Sequence, residues 1–276
     1  MWTLKTLFTV FYRRNLALAK LAIITNLQYR FNFIIDAFIQ PILTVGVEVL
    51  LWLAIFKTAD ASGLIGGFGK DSYLAYAVWA PFLGRIAISW MYETMMVEEI
   101  ASGSINTILT RPLSFFEYYL SQTLGYKIIT TVFSVTVPIA VSLYFNLPVL
   151  YERLPMAFLI VVYYLLLVHT MSFLVSTLGF FLTRIRAFTL LKNLSLLLLG
   201  GELVPIDLMP PPLAELLLSL PFSAGVYIPL AYITGRGGWD LMSRGFINTS
   251  YGLLIAGILS YLLWKRGVRE YTGTGA

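Results

Sequence analysis

The sequence predicts an all-α polytopic membrane protein: an N-terminal amphipathic interfacial helix, six transmembrane helices, and re-entrant outer helices before the last span. Three observations lead there. Of the 276 residues, 58% are hydrophobic and mean hydropathy is +0.81, a composition that a water-facing surface does not tolerate. Only 12% are charged, and these gather between long apolar runs, as expected where an ion in hydrocarbon is costly. The runs themselves approach the ~20 residues a helix needs to cross a bilayer. Helix rather than strand follows, because lipid forces each segment to satisfy its own backbone and the alternation of barrel strands is missing.

Residues 1–30 open the chain. Leu4, Leu7, Phe8 and Phe11 fall at helical spacing on one face, with Lys5, Arg13 and Arg14 elsewhere on the turn, the pattern of an amphipathic helix lying in the interface. A cleaved signal peptide is the rival, since Arg13 and Arg14 precede the apolar stretch 16–24. Lys20 interrupts that stretch, however, and no small-x-small site follows before Asn26, Gln28 and Arg30. The membrane domain is expected over 31–265, with spans at 31–56, 73–95, 116–145, 155–182, 188–204 and 246–264, leaving a tail of 266–276. The fifth span is short, and Gly200, Gly201 and Pro205 break it ahead of Pro210, Pro211, Pro212, Pro221 and Pro229. Within this 205–232 segment, residues 213–220 are apolar but too few to cross, so a dip into the outer leaflet is expected.

Orientation follows from Lys and Arg near the span ends, where an excess marks the cytoplasmic side. With the amino terminus inside, twelve lie inside, including Arg13, Arg14, Arg111, Arg184, Arg186 and Lys265. Five lie outside: Lys57, Lys70, Arg153, Arg236 and Arg244. Both termini are therefore expected in the cytoplasm, in a multi-pass protein of the cell membrane.

Several function classes fall away. The net charge of +5 comes without a basic stripe interleaved with stacking aromatics, so nucleic acid is not an expected partner, whereas membrane lipid is. The sequence has no cysteine, which excludes disulfides, thiolate metal sites and cysteine nucleophiles. Its one histidine, His169, lies in an apolar run and reads as a packed helix residue rather than a zinc ligand or triad base. The stretch from Gly66 to Ser72 looks like a phosphate loop, but position 64 is Leu64 and Asp71 follows Lys70, so the motif is incomplete. The chain is read as a non-enzyme without catalytic or metal residues and with no cofactor of its own.

The loop between spans two and three, 97–113, reads VEEIASGSINTILTRPL. It resembles the intracellular coupling helix of type-2 ABC transporter permeases, in which Glu, Gly, Leu and Pro recur in that order, here as Glu99, Gly103, Leu109 and Pro112; Asn106 departs from the Glu many relatives carry. The resemblance extends to the amphipathic helix, the six spans, the Gly201-Glu202-x-x-Pro205 break, the re-entrant segment, and the ending from Gly267 to Gly273. It implies the permease subunit of an ABC exporter, paired with a second permease, identical or similar, and docked on separate ATP-binding subunits that hold ATP and Mg. The implied docking residues are Glu98, Glu99, Ile100, Gly103, Ile105, Leu109, Arg111 and Pro112. Ile100, Ile105, Ile108 and Leu109 are expected to offer apolar contacts, Glu98 and Glu99 to favour a helix start, and Pro112 to stop the helix. The bland alternative is an ordinary interfacial loop helix.

Asp36, Glu48, Arg85, Glu93, Lys127 and Glu202 fall within spans or at their ends, where ionisable groups face the bundle or a wet cavity. Internal salt bridges, such as Arg85 with Glu48 or Glu93, are expected. Gly201, Glu202 and Pro205 are the gate or cavity candidates, because backbone groups are freed where a helix breaks. The paired aromatics Phe115/Phe116, Tyr118/Tyr119 and Tyr163/Tyr164 read as interfacial belts, with a path for an amphipathic or glycan-like substrate as the sharper alternative. An ion-gradient-driven secondary transporter is the alternative function, and an intramembrane lipid transferase lacks a catalytic pair on one face.

Overall fold

The computed structural model describes residues 4–57, 64–88, 90–182 and 184–271. It is an all-α polytopic membrane fold. Helix α1 spans Leu4–Gln28, α2 Arg30–Ile34 and α3 Gln40–Lys57, with a π turn at Ile35–Ile39 joining the last two. A hairpin of β1 (Leu64–Ile65) and β2 (Phe68–Gly69) leads to α4 (Lys70–Ala87), α5 (Trp90–Ala101) and the single turn α6 (Asn106–Leu109). Next come α7 (Phe115–Ser134), α8 (Thr136–Tyr144), α9 (Leu154–Thr177) and α10 (Arg186–Leu199). The chain finishes with α11 (Pro211–Ser219), α12 (Tyr227–Ile233) and the long α13 (Trp239–Glu270).

Five segments among the described residues are long and apolar enough to cross a membrane: Phe31–Lys57, Lys70–Ala101, Phe115–Tyr144, Tyr151–Phe180 and Trp239–Glu270. The remaining expected span, 188–204, differs. Its helix α10 has 14 residues, about 21 Å at 1.5 Å per residue, shorter than the ~30 Å hydrocarbon core. Gly201, at φ +78°, ends it, a conformation that disfavours any residue with a Cβ. The short helices α11 and α12 then follow within 205–232, where a partial dip was expected.

Burial divides the bundle. Helix α4 is the buried centre, packed against α3, α9 and α12. Its small residues Ala75, Ala77, Ala80, Gly84 and Ala87 are all buried, which lets neighbouring backbones approach closely. By contrast, Leu43, Leu50, Leu254 and Ile255 on α3 and α13 are each at least 60% exposed, the surface a lipid-facing helix presents. Helix α13 runs parallel to α9: Ile160 packs against Gly245 and Leu167 against Gly252, and Phe173 stacks near Trp264 with centroids 5.1 Å apart. Helix α1 runs parallel to the start of α7, with Ser121 bonding Asn15 at 2.9 Å and Gly125 pressed against Ala19 and Ala22. The side chains of Leu4, Leu7, Phe8 and Phe11, the expected interfacial face, lie outside the described residues.

The glycine-rich stretch 66–72 is a hairpin turn rather than a phosphate cradle. Gly66 and Gly67 both have positive φ, 55° and 84°, as tight two-residue hairpins demand. Arg236, from the α12–α13 loop, closes this end of the bundle. Its side chain is 2% exposed, bonds Asp207 at 3.0 Å, and lies over the rings of Phe68 and Tyr73 at 4.3 and 4.5 Å.

Candidate functional site: the 97–113 loop and the intramembrane cavity

At the opposite end of the bundle, α5 runs into the 97–113 loop and stops where Gly103 adopts φ +77°. A left-handed glycine is the usual device for ending a helix. The chain then makes the single turn α6 and returns to α7 after Pro112. Three of the expected apolar contacts point inward: Ile100, Ile105 and Ile108 are 3%, 0% and 4% exposed. They join a cluster with Tyr92, Met96, Phe115, Tyr119 and Phe173. These isoleucines therefore anchor the loop to its own protein, because an apolar face beside an apolar bundle buries itself there first.

What remains outward is a polar edge with one apolar residue. Glu98, Ser102, Asn106, Thr107, Arg111 and Pro112 are exposed, and Leu109 is 38% exposed. Glu99 is half-buried, with its Oε2 enclosed. Both flanks of the loop are held. Arg14 of α1 donates to the Pro112 carbonyl at 2.8 Å and pairs with Glu117. Across the loop, the Tyr271 hydroxyl donates to the Gly103 carbonyl at 3.0 Å.

Just above the loop sits a buried ion pair. Lys192 of α10 meets Glu93 of α5, with side chains 4% and 0% exposed. Ser172 of α9 bridges them, accepting from Lys192 at 2.8 Å and donating to Glu93 at 3.2 Å. Three helices are thus joined through one polar contact. The expected partner of Glu93 was Arg85. Instead Arg85 bonds Gln40 at 2.8 Å and approaches Asp36 at 4.0 Å, because the π turn carries Asp36 to its side.

Asp36, Arg85, Lys127 and Glu202 share one cavity of about 500 Å³ that Tyr126 and Gln40 also line. Tyr126 donates to Asp36 at 3.1 Å. The break between α4 and α5 frees backbone carbonyls, and buried Lys127 donates to those of Arg85 and Ile88. Membrane interiors leave no water to take that role. Glu202 packs on α4 at Gly84, where a Cβ would stand 2.3 Å from its Oε2, and that oxygen is buried without a hydrogen-bond partner. Of its neighbours in the expected gate, Gly201 offers its carbonyl to the Tyr76 hydroxyl, and Pro205 is buried. His169 is a packed residue, its Nε2 3.1 Å from the Phe116 carbonyl.

Lys192, Ser172, Arg14 and Tyr271 were absent from the expected site. Lys192 stands out in the sequence as a charge inside an apolar run, Arg14 as a charge on the amphipathic helix and Tyr271 as part of the ending from Gly267 to Gly273, but nothing in the sequence brings them to the loop. The two halves of the site are the outward loop and the polar cavity, joined along α5 and α10.

Comparison with known families places this architecture. The family described as ABC-2 family transporter protein matches residues 42–275, a stretch that contains the 97–113 loop, the break at Gly201 and the end of α13. A comparison with curated proteins gives no match. Five apolar helices, a loop pinned outside the bundle and a match over most of the chain agree: the chain belongs to the ABC-2 family of transporter proteins, as the membrane-spanning permease component of an ABC transporter.

Proposed function

We propose that this chain is the permease subunit of an ATP-driven exporter, docking separate ATP-binding subunits through the 97–113 loop and working beside a second permease of the same or similar sequence. The observation that carries the reading is the division of the loop into a buried isoleucine anchor and an exposed edge. A loop anchored by Ile100, Ile105 and Ile108 transmits force as a rigid body, while Glu98, Leu109, Arg111 and Pro112 remain available to a motor. ATP and Mg belong to that partner. Closure of the ATP-binding pair on two such loops would bias the permease between two arrangements. Through α5, the movement reaches Lys192 and α10, and so the break that places Glu202 in the cavity. The positive charge around the loop supports a cytoplasmic position for it, and with it for both chain termini.

The test is copurification in mild detergent with the ATP-binding subunit. The native chain should retain it, whereas Leu109→Arg, at an exposed position, should fold normally and release it. Full retention and coupling in that variant would sink the reading. The ion-driven alternative draws on the cavity's carboxylates, and transport by the chain alone in liposomes under a proton gradient without ATP would favour it.

A further inference from the structure

The carboxy-terminal motif begins at Gly267, near the end of α13. Its described part, 267–271, is the last turn of α13 and the residue after it, and Tyr271 there lies against the 97–113 loop. Gly267 is buried against Phe180, and a Cβ there would stand 2.3 Å from Phe180 Cδ2. The Phe180 ring meets Trp264 edge-on at 5.6 Å and Tyr271 at 5.8 Å. Tyr271 then reaches the Gly103 carbonyl at 3.0 Å, at the residue whose positive φ ends α5. The neighbouring Gly179 is equally tight, since a Cβ there would lie 2.9 Å from Ile100 and from Ile185. The 179–180 turn is therefore a junction where α5, α13 and the approach to α10 meet.

We propose that residues 267–271 form a latch that positions the loop, with Gly267 admitting Phe180 and Tyr271 fixing Gly103. Tyr271 and Gly267 are positioning residues, because neither reaches the cavity or the exposed docking edge. Arg14 holds the loop's far flank at Pro112 and the buried isoleucines hold its underside, so releasing Tyr271 loosens the loop locally, around Gly103 and the turn that follows it. A single hydrogen bond from a half-buried hydroxyl adds little net stability. The consequence of losing it is therefore in loop position rather than in folding. The functional half of the inference rests on the docking role proposed above, but the geometric half does not.

The experiment uses the lack of cysteine in the sequence, which makes introduced cysteines unique. Spin labels on cysteines replacing Thr107 and Arg269, both exposed, report the distance between loop and α13 in lipid nanodiscs. Tyr271→Phe, which removes one oxygen, should broaden that distance distribution about twofold. Gly267→Ala, which must displace Phe180, should shift its mean. Unchanged distributions in Tyr271→Phe overturn the latch, whether or not Gly267→Ala folds. With the ATP-binding subunit present, Tyr271→Phe should keep its affinity within about twofold yet reduce the permease-dependent change in ATP hydrolysis by about threefold or more. Unaltered hydrolysis alongside a broadened loop would overturn the functional half. If the native chain binds no ATP-binding subunit, the docking proposal fails while the spin-label distances still decide the latch.

Discussion

Replacing Lys192 with Met leaves Glu93, fully buried, to face the interior of the bundle with Ser172 as its remaining hydrogen-bond partner among the described residues. One carboxylate oxygen of Glu93 is already buried without a hydrogen-bond partner, so the surroundings hold little to compensate a second loss. Removing one member of a buried ion pair typically destabilises by about 3–5 kcal/mol, because the remaining charge is left desolvated and unpaired. The burial of both side chains places this pair in that class. Arg266 and Glu270, 72% and 52% exposed, fall in the other class, where an i,i+4 pair adds roughly 0.3–0.5 kcal/mol. Replacing both Glu93 and Lys192 with Met removes both charges while keeping apolar volume, a change that is often close to neutral. The expected pattern is a fall in Tm on the order of 10 °C for either single variant, with most of it recovered in the double variant. Thermal unfolding of the purified chain in a fixed detergent reads all three. A single variant within about 2 °C of the native protein, or a double variant as low as the two singles combined, would refute the reasoning.

Other consequences follow from the same geometry. Gly103→Ala forces a Cβ into the left-handed region at about 1–2 kcal/mol, and should lower ATP-binding subunit retention while the buried anchor keeps the fold, as circular dichroism and pull-down would show. At the other end of the bundle, Arg236→Met leaves Asp207 without its cation and removes contacts over two rings. A destabilisation of about 2–4 kcal/mol is expected, read as faster proteolysis of the hairpin and the 205–232 segment. Gly84→Leu collides with the Glu202 carboxylate and should displace it from the cavity. Transport in reconstituted vesicles should then fall, while binding of the ATP-binding subunit should not.

Much of this arrangement is legible in the residues alone. The five long segments follow from apolar runs that carry few charges, and the breaks at Gly103 with Pro112 and at Gly200 with Pro205 sit where the punctuating residues are, whereas the break between α4 and α5 falls at Ile88 with no Gly or Pro beside it. The hydropathy of 188–204 suggests a full span because Leu203 and Val204 extend the apolar run, yet the left-handed Gly201 stops the helix before them. Hydropathy does not register that. The sequence marks Ile100, Ile105 and Ile108 as apolar contacts of the loop, but residue type cannot say whether such contacts meet a partner or the chain's own bundle. The ion pairs are the least legible, since Glu93 and Lys192 lie 99 positions apart and only packing brings them together. Arg85 takes Asp36 because of a π turn, a local irregularity with no clear residue signature.

The account stands most directly on whether an ATP-binding subunit recognises the exposed edge of the 97–113 loop. Copurifying the native chain and its Leu109→Arg variant with that subunit, in lipid nanodiscs, tests this in one measurement. The account expects the native chain to retain the subunit and the variant to lose it by at least tenfold, with both chains equally folded. Equal retention by the two, or a native chain that transports without any such subunit, would contradict it.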